Sequence, residues 1–362
     1  MVCIAAFIIL GICVLTVPII RLFNKKLADN IVKLFKQATH CFSRRVTLRA
    51  CDTSFADDVK NGLLRKVILK HPKWVKPLSG LIELLSFAII VVSIWSLLVG
   101  VKSLVSLYVY GTCNPSKPTA CVLDTAEACS INAAPVEFNK DPIGWIGQRF
   151  SDYGEAIAAI PTKMRHWDAK DYLPKNPSYS DGKNSSKPLA LDIFDPGCTV
   201  CRRSYIAEKE AGFFDKYNVA LLPYPIYKQG KAEFQHSVRV ARYLMAVQIQ
   251  GEPKERKDDT KLPSAWRMID RMFTGKDADG VEYQKAFNLG YNNEKAEATL
   301  KQWLADFGYN DDEIGKIVDL AHSNKVKRLV NENRDIVDKD VKTKKIPTAI
   351  YDGARHDGEF KK

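Results

Sequence analysis

Charged residues are absent from two stretches of this 362-residue chain, and each absence limits what the stretch can be. Residues 2–20 and 84–101 contain no Asp, Glu, Lys or Arg, and the apolar character of the second run continues to Tyr110. Each run is long enough to cross a bilayer as a helix. The first has no basic residue ahead of its apolar core and no A-x-A-like site after it, so a cleaved signal peptide is disfavoured. A buried core helix is the alternative for either run.

Acidic residues are scarce between the two apolar runs. Residues 21–80 contain fourteen basic residues and four acidic ones. Short basic loops stay on the cytoplasmic side of a membrane, so we expect the N-terminus and everything after Tyr110 to lie outside. Nucleic-acid binding is the competing explanation for a basic chain. Attraction to anionic lipid headgroups explains the basic residues more simply, because they lie in a loop held at both ends by apolar runs.

Metal-ligand spacing is also missing. The chain has six histidines, and those beyond the second apolar run are scattered. A zinc site would need a second pair of ligands at suitable spacing, whereas seven residues separate each neighbouring pair among Cys113, Cys121 and Cys129. We therefore expect neither a metal nor another cofactor.

The proposed topology sorts the cysteines by compartment. Cys41 and Cys51 would lie in the cytoplasmic loop and should be reduced thiols. Five cysteines would lie outside, where disulfides persist: Cys113, Cys121, Cys129, Cys198 and Cys201. Among the first three of these, one stays unpaired, and the pairs Cys113–Cys121, Cys121–Cys129 and Cys113–Cys129 are all open.

The stretch LALDIFDPGCTVCRR, Leu189 to Arg203, places two cysteines just after a short apolar strand. Apolar residues alternate onto both faces of LALDIF, which predicts a covered, central strand. A DPG turn, a helix from about Cys198 to Phe214 and a second strand over Asn218–Ile226 follow. The order predicts a βαβ unit with both cysteines at its carboxyl-end turn.

Residues from about 232 to 338 are predicted to be mostly helical. One apolar stripe at helical spacing stops at Gly251 and another stops at Gly308, and the pair Asn310 and Glu313 predicts the capped start of a third helix. A short strand after Pro347 closes the pattern. The predicted organisation is an apolar helix over 1–21, a basic loop over 22–80, an apolar helix over 81–110, a linker or subdomain over 111–187 and an α/β domain over 188–362.

Cys198 is the candidate nucleophile, because it falls where the helix starts. The unpaired backbone N–H groups and the positive end of the helix dipole should lower the pKa of its thiol. Arg202 and Arg203 would add positive charge. Cys201, one turn deeper, would be shielded and would resolve a mixed disulfide formed at Cys198.

Asp192 is the candidate proton relay for Cys201. A carboxyl desolvated on an apolar strand would have a raised pKa and could exchange a proton with a sulfur beneath the helix end. A water-exposed aspartate at a strand edge is the alternative.

Ile346 and Pro347 are candidate client-binding residues, together with Thr199 and Val200 between the cysteines. A cis proline at 347 would present the backbone of Ile346 to an extended client chain, which could pair with it as an added strand. An ordinary trans proline at a strand start is the alternative.

The acid-bearing strand, the CTVC sequence that opens the helix, the helical insertion and the Ile-Pro-Thr before the last strand together resemble the thioredoxin superfamily, and the insertion resembles its DsbA-like branch. The resemblance covers residues 187–362. It implies a thioredoxin-like fold with Cys198 attacking, Cys201 resolving, Asp192 as the buried acid and Pro347 as the cis proline. Thr199-Val200 has neither the histidine of strongly oxidising members nor the proline typical of thioredoxin, so the direction of electron flow stays open.

Together with the two apolar runs and the basic loop between them, the resemblance predicts a two-pass protein of the bacterial inner membrane with its C-terminal domain outside the cytoplasm. Its partners would be cysteine-containing exported proteins and a quinone-linked membrane protein of the DsbB or VKOR type. An oxidase is the first expectation, and a reductase or isomerase is open. A non-catalytic subunit of a secretion or conjugation assembly is the alternative from another class. A purely structural Cys198–Cys201 disulfide would close a very small ring and is disfavoured.

Overall fold

The computed structural model describes residues 2–46, 60–61, 64–65, 72–112, 129–130, 136–257 and 261–361. The chain divides into two compact units, Met1–Val101 and Lys102–Lys362. The two units are described separately below.

The first unit is helical. Helix α1 spans Val2–Phe23, α2 spans Lys25–Val46, and a 3₁₀ turn at Pro72–Trp74 leads into α3, Val75–Tyr110, whose last turns belong to the second unit. Helices α1 and α2 form a hairpin in which the Phe7 ring stacks on Phe35 and Phe42. Helix α2 lies within the segment expected to be a basic loop, where no helix was predicted.

Helices α1 and α3 are long and apolar enough to cross a membrane. Their apolar windows, Ile4–Arg21 and Val75–Tyr110, are only 6% buried within the structure. A core helix of a soluble domain would bury such side chains, whereas Leu84 and Leu97 are exposed. The exposed apolar surface is compatible with membrane anchoring and argues against the core-helix alternative.

Cys41 contradicts one expectation drawn from topology. It is buried and disulfide-bonded, although a cytoplasmic position predicted a reduced thiol. The prediction rested only on the compartment, and no local pattern indicates that helix α2 would bury this side chain. Cys51 lies outside the described residues.

A four-stranded sheet forms the core of the second unit. Its strands are β2 (Leu189–Phe194), β3 (Asn218–Pro223), β7 (Thr348–Tyr351) and β8 (Ala354–Asp357), in the order β3-β2-β7-β8. Strand β2 runs parallel to β3 and antiparallel to β7, and β7 and β8 form a hairpin. The parallel βαβ half and the closing hairpin make this a thioredoxin-like fold, as the sequence predicted.

The central strand is buried as its composition requires. Every residue of β2 after Leu189 is buried, because β3 covers one edge, β7 covers the other and helices cover the faces. The βα connection is helix α6, Thr199–Glu210, followed by the short helix α7, Phe213–Lys216.

Helices lie between β3 and β7, which confirms the predicted insertion. A small hairpin of β4, Tyr227–Lys228, and β5, Lys231–Ala232, comes first. The helices of the insertion are α8 (Ser237–Gln250), α9 (Ser264–Thr274), α10 (Tyr283–Lys285), a π-helical turn (Ala286–Gly290), α11 (Asn293–Phe307), α12 (Asp311–His322), α13 (Asn324–Asp335) and a second π-helical turn (Ile336–Val341).

The remaining elements surround the sheet. Helices α4, Pro142–Ala158, and α5, Ile160–Met164, precede a 3₁₀ turn at Ala169–Tyr172. Two short strands, β1 (Cys129–Ser130) and β6 (Lys345–Ile346), pair antiparallel with each other. This small pair lies at the candidate site.

Candidate active site

The turn between β2 and α6 is fixed by a buried carboxylate. Asp195 is fully buried and accepts hydrogen bonds from the backbone N–H of Gly197 at 2.7 Å and of Ile226 at 2.6 Å, and from the Ser237 hydroxyl. Burial raises the pKa of Asp195 to about 6, and these donors oppose the rise. The carboxylate therefore joins the turn to the chain after β3 and to helix α8.

The helical insertion holds the same turn from the other side. The buried Gln284 amide donates to the carbonyl oxygens of Pro196 and Cys198 at 2.9 and 3.0 Å, and the Asn288 amide donates to the carbonyl of Gly197 at 2.8 Å. Three consecutive carbonyls thus have side-chain partners. A precisely placed turn is what a helix-opening nucleophile needs.

Position 197 requires a glycine, because the Phe234 side chain lies too close to its backbone for a Cβ atom. A Cβ built at this position would lie 2.3 Å from the Phe234 Cβ, well inside any real contact. The turn therefore packs against the chain before α8 with no room for a side chain.

Cys198 caps the start of helix α6, as predicted, but its sulfur is bonded to Cys129, 69 residues earlier, and not to Cys201. Of the three pairings that the sequence left open, Cys121–Cys129 and Cys113–Cys129 are therefore not formed, because the sulfur of Cys129 is bonded to Cys198. Cys113 and Cys121 lie outside the described residues. Spacing could not reveal this pair, since folding brings the two cysteines together across the β1–β6 pairing.

Cys201 is a free, buried thiol in the first turn of α6. Burial raises its pKa well above the ordinary value, and the negative charges of Asp195, Asp192 and Glu208 raise it further. Its shielding agrees with the expectation. As a protonated thiol it needs a base before it can attack a disulfide.

Arg202 and Arg203 do not supply free positive charge to the site. The Arg202 guanidinium makes a bidentate pair with Glu282 at 2.7 and 2.8 Å and donates to the Phe273 carbonyl. Arg203 pairs with Glu359. Since each charge is matched by a carboxylate, the helix terminus is left as the main source of positive potential at Cys198.

Asp192 lies beneath the helix in a buried position, 8% exposed, which excludes the water-exposed alternative. Its neighbours in the sheet are Leu221 and Ala349. Burial raises the pKa of Asp192 to about 7. At neutral pH such a carboxyl is part protonated and part ionised, which is the condition for proton exchange.

Glu208 is a second buried carboxyl in the same neighbourhood, and sequence reasoning missed it. Burial, and then the charge of Asp192, raise its pKa well above the ordinary value. One of its oxygens accepts from the Ser204 hydroxyl at 3.2 Å and the other has no hydrogen-bond partner. Both carboxyls line a cavity of about 290 Å³ that also contacts Pro347 and His356.

The loop opposite Cys198 contains the cis Ile346–Pro347 peptide bond that the sequence predicts. The Ile346 carbonyl oxygen lies 3.9 Å from the Cys198 sulfur. Ile346 is the register partner of Cys129 in the antiparallel β1–β6 pair, and Lys345 is the partner of Ser130. The backbone edge expected to bind a client is therefore paired with a segment of the chain itself.

The two residues between the cysteines face different surroundings. Thr199 is exposed, while Val200 is 8% exposed and packs in the core. Thr199 stays a candidate for client contact. Val200 contributes mainly to packing, which the sequence did not indicate.

The missed residues differ in the signal that they leave in the sequence. Glu208 follows Cys201 by seven residues and Ser204 by four, a helical spacing that places all three on one face. Asp195 begins a DPG turn, where aspartate commonly bonds the backbone two residues on. Gln284 and Asn288 leave no such signal, because only the folded insertion brings them to the turn.

The arrangement can perform thiol–disulfide exchange. A sulfur at a helix terminus, a second thiol one turn deeper, a carboxyl with a pKa of about 7 beneath them and a strand edge at Ile346 are brought into one site. Within the part of the chain that the structure describes, no cluster of three His, Cys, Asp or Glu side chains could hold a metal ion.

No protein-family model matches the chain, and no curated protein matches it. Among solved structures, the thiol-disulfide exchange protein alpha-DsbA2 from Wolbachia pipientis is 19% identical with a TM-score of 0.37, over 53% of this chain and 85% of that one. A thioredoxin-like oxidoreductase from Silicibacter pomeroyi is 15% identical with a TM-score of 0.36, over 53% of this chain and 90% of that one. Proteus mirabilis ScsC in a compact conformation is 13% identical with a TM-score of 0.34, over 63% of this chain and 100% of that one. The fold assignment rests on the strand order and register of the chain itself.

Proposed function

We propose that the second unit is a thiol:disulfide oxidoreductase that exchanges disulfides with exported proteins. The observation that carries the proposal is the position of Cys198 at the start of helix α6, with its sulfur 3.9 Å from the Ile346 carbonyl and Cys201 one turn deeper. A client cysteine bonded to Cys198 would lie beside a backbone edge that can hold its chain as an added strand.

The direction that we favour is oxidation of client thiols. The helix terminus stabilises a Cys198 thiolate, and stabilising the reduced form of a couple makes its disulfide more oxidising. Burial raises the pKa of the Cys201 thiol. This destabilises the thiolate form of the reduced couple and so opposes the effect of the helix terminus. Reduction and isomerisation are therefore the alternatives that a measured reduction potential would separate from oxidation.

An oxidase must be reoxidised after each turnover. The two apolar helices would hold it at a bilayer, in the bacterial inner membrane, with the second unit outside the cytoplasm. A quinone-linked membrane protein of the DsbB or VKOR type is the partner class that fits this position, and cysteine-containing exported proteins are the client class.

Catalysed oxidation of a reduced two-cysteine peptide, with glutathione disulfide as the oxidant, tests this function. The full chain in detergent should speed peptide oxidation, and Cys198→Ser should abolish the effect. Cys13→Ser, a free cysteine in α1, is the matched control and should behave as the wild type. Equal rates with and without Cys198 would overturn the proposal.

A second function is favoured by the Cys129–Cys198 disulfide itself. If that bond were permanent, the fully buried Cys198 could not meet a client, and the domain would serve as a binding platform in an envelope assembly. The same assay separates the two functions, because a locked disulfide gives no client oxidation in any variant that keeps Cys129.

A further inference from the structure

Segment Cys129–Ser130 occupies the positions that a client would take. Its backbone pairs antiparallel with Ile346 and Lys345, and its cysteine sulfur is bonded to the candidate nucleophile. Both contacts expected of a client, the added strand and the mixed disulfide, are thus made by the same two residues of the chain. A structural disulfide would need only the bond between the two sulfurs and not the strand pairing.

We propose that Cys129 is a third redox-active cysteine, an internal client whose disulfide with Cys198 is exchanged by Cys201. The inference rests on the proposed function and extends it from the CxxC pair to a three-cysteine relay. Cys129 is partly buried against the core, so it is positioned by packing as well as by its bond.

The exchange needs no outside oxidant. The Cys201 thiolate attacks the Cys198 sulfur, the Cys198–Cys201 bond forms, and the Cys129–Cys198 bond breaks with its electron pair on Cys129. The proton that Cys201 loses is balanced by the one that Cys129 gains. One disulfide and one thiol are present before and after the step.

The site supplies the parts for this step. Cys201 is the free thiol nearest in sequence to the bond and lies in the first turn of the helix that Cys198 caps. Three carboxyl groups act on its thiol from the surrounding elements, Asp195 from the turn, Asp192 from strand β2 and Glu208 from the same helix. Proton transfer to a carboxyl beneath the helix would release the attacking thiolate.

The consequence is self-capping: segment Cys129–Ser130 of the chain blocks the site that a client would enter. While Cys129 is bonded to Cys198, an external client can enter only by displacing β1 from Ile346 and the Cys129 sulfur from Cys198. After exchange, Cys129 is a thiol, Cys198–Cys201 is the disulfide and the strand edge can be vacated. Only the fraction of molecules in the second form would be open to clients.

Disulfide mapping of the full chain in detergent, by alkylation of free thiols followed by peptide mass spectrometry, tests the proposal without any substitution. We expect two forms in the oxidised wild type, Cys129–Cys198 and Cys198–Cys201, whose proportion changes with time after a shift to pH 8. Cys201→Ser should keep only the first bond, and Cys129→Ser should keep only the second.

Three results of the mapping would each overturn the proposal. They are Cys129 alkylated as a free thiol in all molecules, Cys129 bonded to Cys113 or Cys121, and a Cys129–Cys198 bond that never exchanges. A two-cysteine peptide gives a second readout, since Cys129→Ser should oxidise it about tenfold faster than the wild type or Cys13→Ser. A rate equal to that of the wild type would contradict self-capping while leaving the proposed function intact, whereas a silent Cys198 in every variant would refute the function.

Discussion

Asp192 is held on a strand where its charge is poorly solvated, and burial raises its pKa to about 7. In the unfolded chain the pKa of an aspartate is about 3.9. The folded state therefore favours the protonated carboxyl. The contribution of Asp192 to stability is largest below about pH 4, falls as the pH rises toward 7 and is level above that value.

Asp192→Asn should remove this loss of stability. At pH 8 we expect the variant to unfold at a higher urea concentration than the wild type. Its free energy of unfolding should be larger by up to about 4 kcal/mol. At pH 4 the two should be nearly equal, since the wild-type carboxyl is then protonated in the folded state. Urea unfolding of the full chain in detergent at both pH values measures the difference, and an equal gain at both would contradict the linkage.

Asp192→Asn should stabilise the fold but slow thiol–disulfide exchange. Without a carboxylate to accept the Cys201 proton, release of a peptide from a mixed disulfide with Cys198 should be about 100-fold slower. The rise in wild-type rate with pH through about 7 should also disappear. Release of a fluorescent peptide, followed from pH 5 to 9, measures both effects.

Glu208→Gln is the matched comparison for this kinetic test. Burial, and then the charge of Asp192, raise its pKa well above the ordinary value, so this carboxyl keeps its own proton more readily than an ordinary glutamate and is less available to accept one. We expect a much smaller effect on the release rate than for Asp192→Asn. A loss as large as that of Asp192→Asn would assign the proton to Glu208 instead.

The helical insertion holds the turn between β2 and α6 in place. Gln284 holds two carbonyls of the turn, and Asn288 holds a third. Gln284→Ala would leave the Pro196 carbonyl without its donor, while the Cys198 carbonyl would keep the backbone N–H of Arg202 at 3.2 Å. One unsatisfied buried carbonyl costs about 1–3 kcal/mol.

We therefore expect Gln284→Ala to lower the free energy of unfolding by about 1–3 kcal/mol. Gln302→Ala, at an exposed side chain of α11 that donates to Asp306, is the control and should change it by less than about 0.5 kcal/mol. Denaturant titrations of both variants make the comparison. Equal losses would mean that the insertion does not hold the turn.

Much of the domain could be predicted from local patterns. The apolar strand at Leu189, the cysteine at a helix start and the Asn310–Glu313 capping box each carry their signal within a few residues, and the structure contains all of them. Gly308 ends α11 with a positive φ of 108°, as the predicted end of a helix at this glycine requires.

The residues that could not be predicted meet their partners across long stretches of chain. The bond between Cys129 and Cys198 spans 69 residues, and the contacts of Gln284 with the turn span 86 and 88. No periodicity links such positions. Helix α2 was missed for another reason, because its many basic residues were interpreted as a loop.

Two apolar helices flank a segment of the chain that is rich in basic residues. The charge pattern predicts that this segment lies in the cytoplasm, whereas the disulfide-bonded Cys41 fits an oxidising compartment better. An alkaline phosphatase reporter, active only outside the cytoplasm, can decide between these two indications.

We expect the reporter to be active when fused after Lys362 and inactive when fused after Gly80, at the end of the basic segment. The second fusion is the matched control, because it keeps the first apolar helix. Activity in both fusions would show that the basic segment crosses the membrane as well. Inactivity after Lys362 would place the thioredoxin-like unit in the cytoplasm and contradict the proposed clients.

The most direct measurement is to trap a client on Cys198. In the full chain carrying Cys129→Ser and Cys201→Ser, Cys198 has neither its internal partner nor its resolving thiol. We predict that an activated-disulfide peptide then forms a stable one-to-one mixed disulfide at Cys198, several times faster than with free cysteine, and that mass spectrometry locates it there. Peptide captured equally well after Cys198→Ser, or a Cys198 no more reactive than free cysteine, would contradict the account.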